Sequence, residues 1–323
     1  MRTIAIVAGG DSSEYVVSVK SAAAVAEVLK NKYNTRIVII KGADWYWEDA
    51  RGMAHRIDKN DFSLVVGDEK LRFDAAFIAI HGTPGENGLL QGYFDMIGMP
   101  YTSCNAFCSA LTFSKQACKA FLAQSGIDMA NAVLIRKGQK YDLKKIIAAT
   151  GLPCFVKPDD SGSSFGVTKV KEFEKLEPAI EVAFKESRTI LIESEMKGRE
   201  VACGIVKTSG REIVFPVTEI VSKNEFFDFE AKYTLGMSEE ITPAQLPEKV
   251  TQTIQTLTSR IYDHLGCKGI VRVDFIIVGD KPHFLEVNSV PGMTAESILP
   301  QQATAYGISH EELYSLVIED LFK

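Results

Sequence analysis

Near the C-terminal end, Val271, Val273 and Phe275 interleave with Arg272 and Asp274. Alternate side chains of a strand share a face, so this stretch predicts a strand buried on one side and polar on the other. The segment around Leu285 and Val287 repeats the pattern, with Glu286 and Asn288 together on one face. If the two strands pair, one surface carries a guanidinium, two carboxylates and an amide. Pro291-Gly292 then turns the chain and leaves the Gly292 N–H open to a ligand.

The first third alternates apolar strand patterns with a helical one. Ile4–Ala8 reads as a strand ending in Gly9-Gly10, Ser18–Leu29 as an Ala/Val-rich helix, and Arg36–Ile40 and Phe73–Ile80 as further strands. This order predicts a parallel α/β sheet, whose functional groups gather where strands end in loops. Gly9-Gly10 and His81-Gly82 occupy such ends. A middle segment begins near Cys104. There Ser114 N-caps a helix to Ser125, strands fall at Val133–Ile135, Phe155–Lys157 and Val167–Val170, and a helix covers Phe173–Glu186.

The last segment predicts strands at Val201–Val206 and Ile213–Ile220, then a polar, aromatic loop over 222–240. Val250, Ile254, Leu257, Ile261 and Leu265 recur at helical spacing, and Ser309-His310-Glu311-Glu312 forms a capping box for a final helix.

The chain has 323 residues, 46% hydrophobic and 24% charged, enough for two or three domains. A net charge of −6 argues against nucleic acid as the main partner. No run approaches the roughly 20 apolar residues of a membrane span. The apolar start is too short for a signal peptide. The six cysteines form no Cys-x-x-Cys pair and read as reduced and structural, which places the protein in the cytoplasm. Cys104 and Cys108 stand at helical spacing, with no His nearby to complete a zinc site.

Several motifs carry chemistry. Asp274, Glu286 and Asn288 offer only hard oxygens, which suits Mg²⁺ between protein and phosphates. The alternative, a solvated surface hairpin, leaves their apolar neighbours unexplained. Lys157 to Val167 is a Gly/Ser-rich hairpin whose N–H groups could close over phosphates beside Lys157; it lacks the Walker pattern, and a functionless hairpin would look similar. His81 to Gly88 is a strand-to-helix loop with three glycines, in which Asn87 caps the next helix and His81 is a candidate ligand contact. Asp228 to Tyr233 lies in a loop long enough to be a lid, with Lys232 in reach of a phosphate; a turn with Tyr233 in the core is the competing reading.

Taken in order, Gly9-Gly10…Val17-Ser18, His81–Gly88, Lys157–Val167, Glu230–Tyr233, Arg272–Asp274 and Leu285–Thr294 make the chain resemble a D-alanine–D-alanine ligase of the ATP-grasp superfamily. The resemblance runs nearly end to end. It implies a Rossmann-like N-terminal substrate domain (1–103), a central subdomain (104–192) and a C-terminal subdomain (193–323) with a lid at 222–240, the last two gripping ATP. By motif, Lys115 and Lys157 hold phosphates, Glu193 and Met196 line the adenine pocket, Glu200 meets the ribose and Lys232 touches the γ-phosphate. Two Mg²⁺ ions, with Mn²⁺ as a substitute, bind Asp274, Glu286 and Asn288. Arg272 and the Gly292 N–H form an oxyanion site, and Ser163 and Tyr233 link hairpin to lid. Ser297 and Ile298 meet the second D-alanine, and His81 borders the first.

The implied activity is ATP-dependent joining of two D-alanines for peptidoglycan precursors, by a cytoplasmic homodimer without membrane or nucleic-acid partners. Tyr233 stands where D-lactate-using relatives carry His, which favours an amine acceptor. The alternatives are a ligase with another acceptor, such as D-lactate or D-serine, and an inactive nucleotide-binding module. The chain departs from the family at Val16, where a Glu before Val-Ser is expected to anchor the first D-alanine's ammonium; Glu14 lies two residues earlier. The departure predicts weaker first-substrate binding, or another group supplying the charge.

Overall fold

The computed structural model describes residues 1–160, 162, 165–222 and 238–323. Strands β1 (Thr3–Gly9), β2 (Asn34–Lys41), β3 (Asp44–Glu48), β4 (Ala54–Asp58), β5 (Ser63–Val66), β6 (Glu69–Leu71) and β7 (Ala75–Ile78) form a seven-stranded sheet in the order β6-β5-β4-β3-β2-β1-β7. The pairs β1–β2 and β1–β7 are parallel, as the strand–helix alternation predicts. From β2 outward the sheet continues as an antiparallel meander that the sequence pattern did not reveal. Helix α1 (Tyr15–Leu29) buries Ala22, Val25 and Leu29 against β1.

Helices α2 (Leu89–Ile97), α3 (Ala106–Phe113) and α4 (Lys115–Leu122) follow. Ser114 caps α4 through the Ala117 N–H, as expected. Gly88, with φ 85°, starts α2, while the Asn87 amide oxygen accepts the Leu89 N–H. A four-stranded antiparallel sheet, β10-β9-β11-β8, comprises β8 (Ala132–Arg136), β9 (Cys154–Pro158), β10 (Thr168–Val170) and β11 (Thr189–Ser194). It is backed by α5 (Leu143–Thr150) and α6 (Leu176–Glu186).

The third sheet holds β12 (Arg199–Thr208), β13 (Arg211–Val214), β14 (Thr218–Ser222), β15 (Ser238–Ile241), β16 (Gly269–Val278) and β17 (Lys281–Asn288). The single strand expected over Ile213–Ile220 is two strands, β13 and β14, on different stretches of β12. Pro216 lies between them and has no N–H for a ladder. Ser222 ends β14 and 238–240 lie in β15, so the ends of the expected 222–240 loop are strand; residues 223–237 lie outside the described residues. Helix α7 (Glu248–Leu265) buries Val250, Ile254, Ile261 and Leu265 against this sheet, and α3 and α4 contribute Cys108, Cys118 and Leu122 to the same core. Helices α8 (Ile298–Tyr306) and α9 (His310–Asp320) close the chain; Ser309 caps α9 through the Glu312 N–H. Leu299 and Tyr314, on these helices, share a core with Ile4, Ile6 and Phe77 of the first sheet.

One irregularity sets the chemistry of the third sheet. Asp274 pairs with Glu286, but Phe275 pairs with Phe284, so Leu285 is an extra residue on β17. Without this bulge, Phe284 and Glu286 would share a face. With it, Phe284 joins Phe275 in the core while Glu286 stands beside Asp274 on the opposite face.

The β11–β12 connection lies against β16. A Cβ on Gly198 would stand 1.9 Å from the Ile277 carbonyl oxygen, a backbone atom that cannot yield cheaply. Gly198→Ala is expected to lower stability by about 1–3 kcal/mol, read as a lower urea midpoint with an unchanged slope.

Candidate active site

A cleft of about 1140 Å³ lies over this polar face. Its lining includes Lys115, Lys157, Glu193, Met196, Glu200, Arg272, Glu286, Asn288, Gly292, Ser297, Ile298 and His81. Residues far apart in the sequence thus converge on one cavity. Asp274 sits beneath the lining, 4% exposed. Ser163, Lys232 and Tyr233 lie outside the described residues.

Arg272 faces Asn288 across the strand pair, and Asp274 faces Glu286. The Arg272 guanidinium grips Asp274 through Nε and Nη2, both at 2.8 Å, and Asn288 Nδ2 donates to Asp274 Oδ2 at 2.9 Å. Burial works against the charge of Arg272, but Asp274, Glu286 and Glu240 outweigh it and hold the guanidinium more firmly protonated than usual. Lys115 Nζ lies 3.9 Å from Glu286 Oε2. Three oxygen-bearing side chains on adjacent strands, with no sulfur or imidazole among them, fit a hard divalent cation.

Glu193 forms the second charged centre. Lys119 Nζ lies 2.5 Å from its Oε1 and Lys157 Nζ 2.5 Å from its Oε2. Burial opposes the charge of Glu193, but the two ammonium groups outweigh it and hold the carboxyl below its usual range. The expected adenine-side residue therefore also anchors an expected phosphate lysine. Lys119, which the sequence reading passed over, is 4% exposed and supplies half of this arrangement.

His81 is clamped from both sides. Its Nδ1 lies 2.8 Å from the Val290 carbonyl, which can only accept, so Nδ1 carries the proton; Nε2 accepts from Ser21 Oγ at 3.2 Å. Burial, with Arg272 nearby, lowers its pKa against the pull of Glu14 and Val290. The ring is neutral and its nitrogens hold the loop, a positioning part beside the cavity. Glu86 completes the clamp, accepting the Gly82 N–H at 2.8 Å and the Val290 N–H at 3.2 Å. The main chain at Val290 is thus gripped at both its N–H and its C=O.

Glu14, not Val16, brings a carboxylate to the cleft. Val16 is 61% exposed and is absent from the cleft lining, whereas Glu14 belongs to it. A Cβ on Gly162 would lie 2.5 Å from Glu14 Oε2, so the hairpin comes down directly against this carboxylate. Helical geometry is the reason: α1 begins at Tyr15, and Glu14 at its N-cap points toward the loops while Val16 turns outward. On the far side, Ser297 Oγ is 3.0 Å from Thr294 Oγ1 and would stand 2.7 Å from a Cβ on Gly292.

Burial, with Glu14 close by, pushes the Glu86 carboxyl up to about 8, against the pull of the Gly82 and Val290 N–H groups. In the unfolded chain the group ionises near its ordinary 4.5. A folded-state pKa raised in this way contributes stability below the unfolded pKa that is lost as pH rises to about 8. Relative to Glu86→Gln, the unliganded protein is expected to lose stability over that window, measured by urea unfolding from about pH 5 to about pH 9.

Residues 3–104 match the family model described as D-ala D-ala ligase N-terminus, and residues 121–319 match D-ala D-ala ligase C-terminus. The D-alanine--D-alanine ligase of Phocaeicola vulgatus is 52% identical, over 99% of each chain. The VanG D-Ala:D-Ser ligase from Enterococcus faecalis superposes with a TM-score of 0.89 at 31% identity, over 99% of each chain. The D-alanine--D-alanine ligase from Bacillus anthracis complexed with ATP gives a TM-score of 0.80 at 26% identity, over 100% of this chain and 98% of that one. The architecture is accordingly the α/β ATP-grasp one that the sequence motifs imply, and with both ends and the whole length matched, the chain belongs to the D-alanine–D-alanine ligase family.

Proposed function

We propose that the protein is an ATP-dependent carboxylate–amine ligase that joins two D-alanines into D-alanyl-D-alanine for peptidoglycan precursors. The supporting observation is the convergence of Arg272, Gly292, Glu14, Lys115 and Lys157 on one cleft above the Asp274–Glu286 pair. In the first step the carboxylate of one D-alanine attacks the γ-phosphorus of ATP, ADP leaves, and an acyl phosphate forms. In the second the amine of another D-alanine attacks the acyl carbon, phosphate departs, and the ammonium proton is lost. The division into 1–103, 104–192 and 193–323 belongs to the same proposal.

Each step sets a demand that this chain meets. Two anions must approach in the first, and Lys115 and Lys157 lower that repulsion. Asp274, Glu286 and Asn288 would hold two Mg²⁺ ions, or Mn²⁺ in their place, which when bound neutralise phosphate oxygens. Lys232 contributes further positive charge at the γ-phosphate, Met196 and Glu193 line the adenine side, and Glu200 meets the ribose. Glu14 pairs with the ammonium of the first D-alanine and fixes its carboxylate, and Ser163 and Tyr233 would link the hairpin to the lid. In the second step charge develops on the acyl oxygen, where Arg272 and the Gly292 N–H receive it. Ser297 binds the carboxylate of the second D-alanine beside Ile298. A closed cleft protects the acyl phosphate from water.

The working unit in this proposal is a cytoplasmic homodimer. Leu89, Met96 and Phe107 on α2 and α3 are 64, 82 and 66% exposed and offer an apolar face to a second copy. The net charge of −6 disfavours nucleic acid, and among the described residues no helix is long and apolar enough to cross a membrane.

A mass spectrum of the product from D-alanine, ATP and Mg²⁺ is expected to show the dipeptide with one phosphate released per bond. Preferential use of D-serine or D-lactate in competition would overturn the choice of acceptor. Arg272→Met is expected to lower kcat by about 10²–10³-fold. Glu14→Gln should raise KM for the first D-alanine at least about tenfold, the scale of a lost charge-assisted hydrogen bond, while Val16→Glu leaves it unchanged. The reverse ranking of these two variants would return the ammonium site to position 16.

A further inference from the structure

Three cysteines meet away from the cleft lining. Cys104 precedes α3, Cys108 lies in its first turn, and Cys267 follows Gly266 at the end of α7. Their sulfurs all lie within 4.8 Å of one another, with Cys108 Sγ 3.7 Å from Cys267 Sγ. They are 0, 1 and 8% exposed. No disulfide joins them. Cys104 Sγ donates to the Lys268 carbonyl at 3.6 Å and accepts the Lys268 N–H at 3.5 Å, the latter a contact that would also serve a metal-bound thiolate.

We propose that Cys104, Cys108 and Cys267 form a three-thiolate site for a thiophilic d¹⁰ cation, Cu⁺ or Zn²⁺. The size of the triangle supports this. Sulfurs bonded to one ion at about 2.3 Å stand roughly 4 Å apart, close to the spacing already present. The donor set is all sulfur, which selects soft ions and rejects Mg²⁺ and Ca²⁺. Cu⁺ is satisfied by three thiolates; Zn²⁺ takes a fourth, non-thiolate ligand. The other three cysteines serve as a contrast: Cys118, Cys154 and Cys203 are also buried but belong to no such cluster among the described residues.

Binding releases the thiol protons still held, so affinity rises with pH. It also bridges α3 to the turn that opens β16, the strand carrying Arg272 and Asp274. An ion there would brace the sheet from its core side without touching the reacting groups.

The test uses the reduced full-length protein under anaerobic conditions. It is titrated with Cu⁺ against a competing chelator, and separately with Zn²⁺ and its spectroscopic substitute Co²⁺. One equivalent of Cu⁺ or of Zn²⁺ is expected to stay with the protein through gel filtration and to raise Tm. For Co²⁺, a sulfur-to-metal charge-transfer band distinguishes this site from the oxygen ligands of the cleft. Cys108→Ser and Cys267→Ser should each weaken retention at least tenfold, while Cys154→Ser leaves it unchanged. Wild-type protein that keeps neither ion, or a Co²⁺ complex without the sulfur band, overturns the proposal independently of how the variants fold. Retention unaffected by Cys267→Ser in folded protein overturns it as well.

Discussion

The molecule depends on a conflict resolved within one strand pair. Strands β16 and β17 must bury one face in an apolar core and present charged groups, two of them carboxylates, on the other. Strict alternation would place Phe284 beside Glu286, so either an aromatic ring would enter the cleft or a carboxylate the core. The extra residue Leu285 removes the conflict by shifting the register between them. Phe275, Phe284 and Val287 then supply apolar burial, and Arg272, Asp274, Glu286 and Asn288 are left in one polar array.

That array tolerates its own charge because each group has an answer nearby. Asp274 is neutralised by a two-point contact with Arg272, and Glu286 has Lys115 beside it; on β11, outside the array, Glu193 is answered by two lysines. An unpaired buried charge costs several kcal/mol, so removing one partner is far more damaging than removing the pair. With Lys119 behind it, Glu193 leaves Lys157 on the cleft wall braced to meet an incoming polyphosphate. At the other end, burial first and then the nearby Glu14 carboxylate raise the Glu86 pKa, and an ammonium ion placed between the two would relieve their mutual repulsion.

Much of this was legible in the sequence because it is local. Alternation located β16 and β17, helical spacing located α7, and Ser114 and Ser309 marked their helix starts. What escaped depends on direction or on distant partners. The sequence shows Val16 at the family's Glu position and Glu14 two residues before it, but not that the start of α1 aims Glu14 into the cleft and Val16 out of it. His81 stands in the cleft lining as its place at a strand end suggests, but nothing in the sequence marks its partners, Ser21 and Val290, the latter 209 residues away. Cys104 and Cys108 showed their spacing, while Cys267 was invisible as their neighbour until the chain closed. The β3–β6 meander is built of strands three to five residues long, each too short to establish a period.

The double grip on Val290 bears on how this architecture can be recombined. His81 and Glu86 belong to the first third of the chain, and the peptide they hold leads straight into Pro291-Gly292. Both ends of the polypeptide therefore share a single geometric reference for the reacting carbonyl. A chimera that joined the N-terminal third of one relative to the remainder of another would have to match this grip as well as the shared core. Because the held groups at 290 are main-chain, what such a chimera must keep is His81 and Glu86 on one side and the backbone course of the turn on the other.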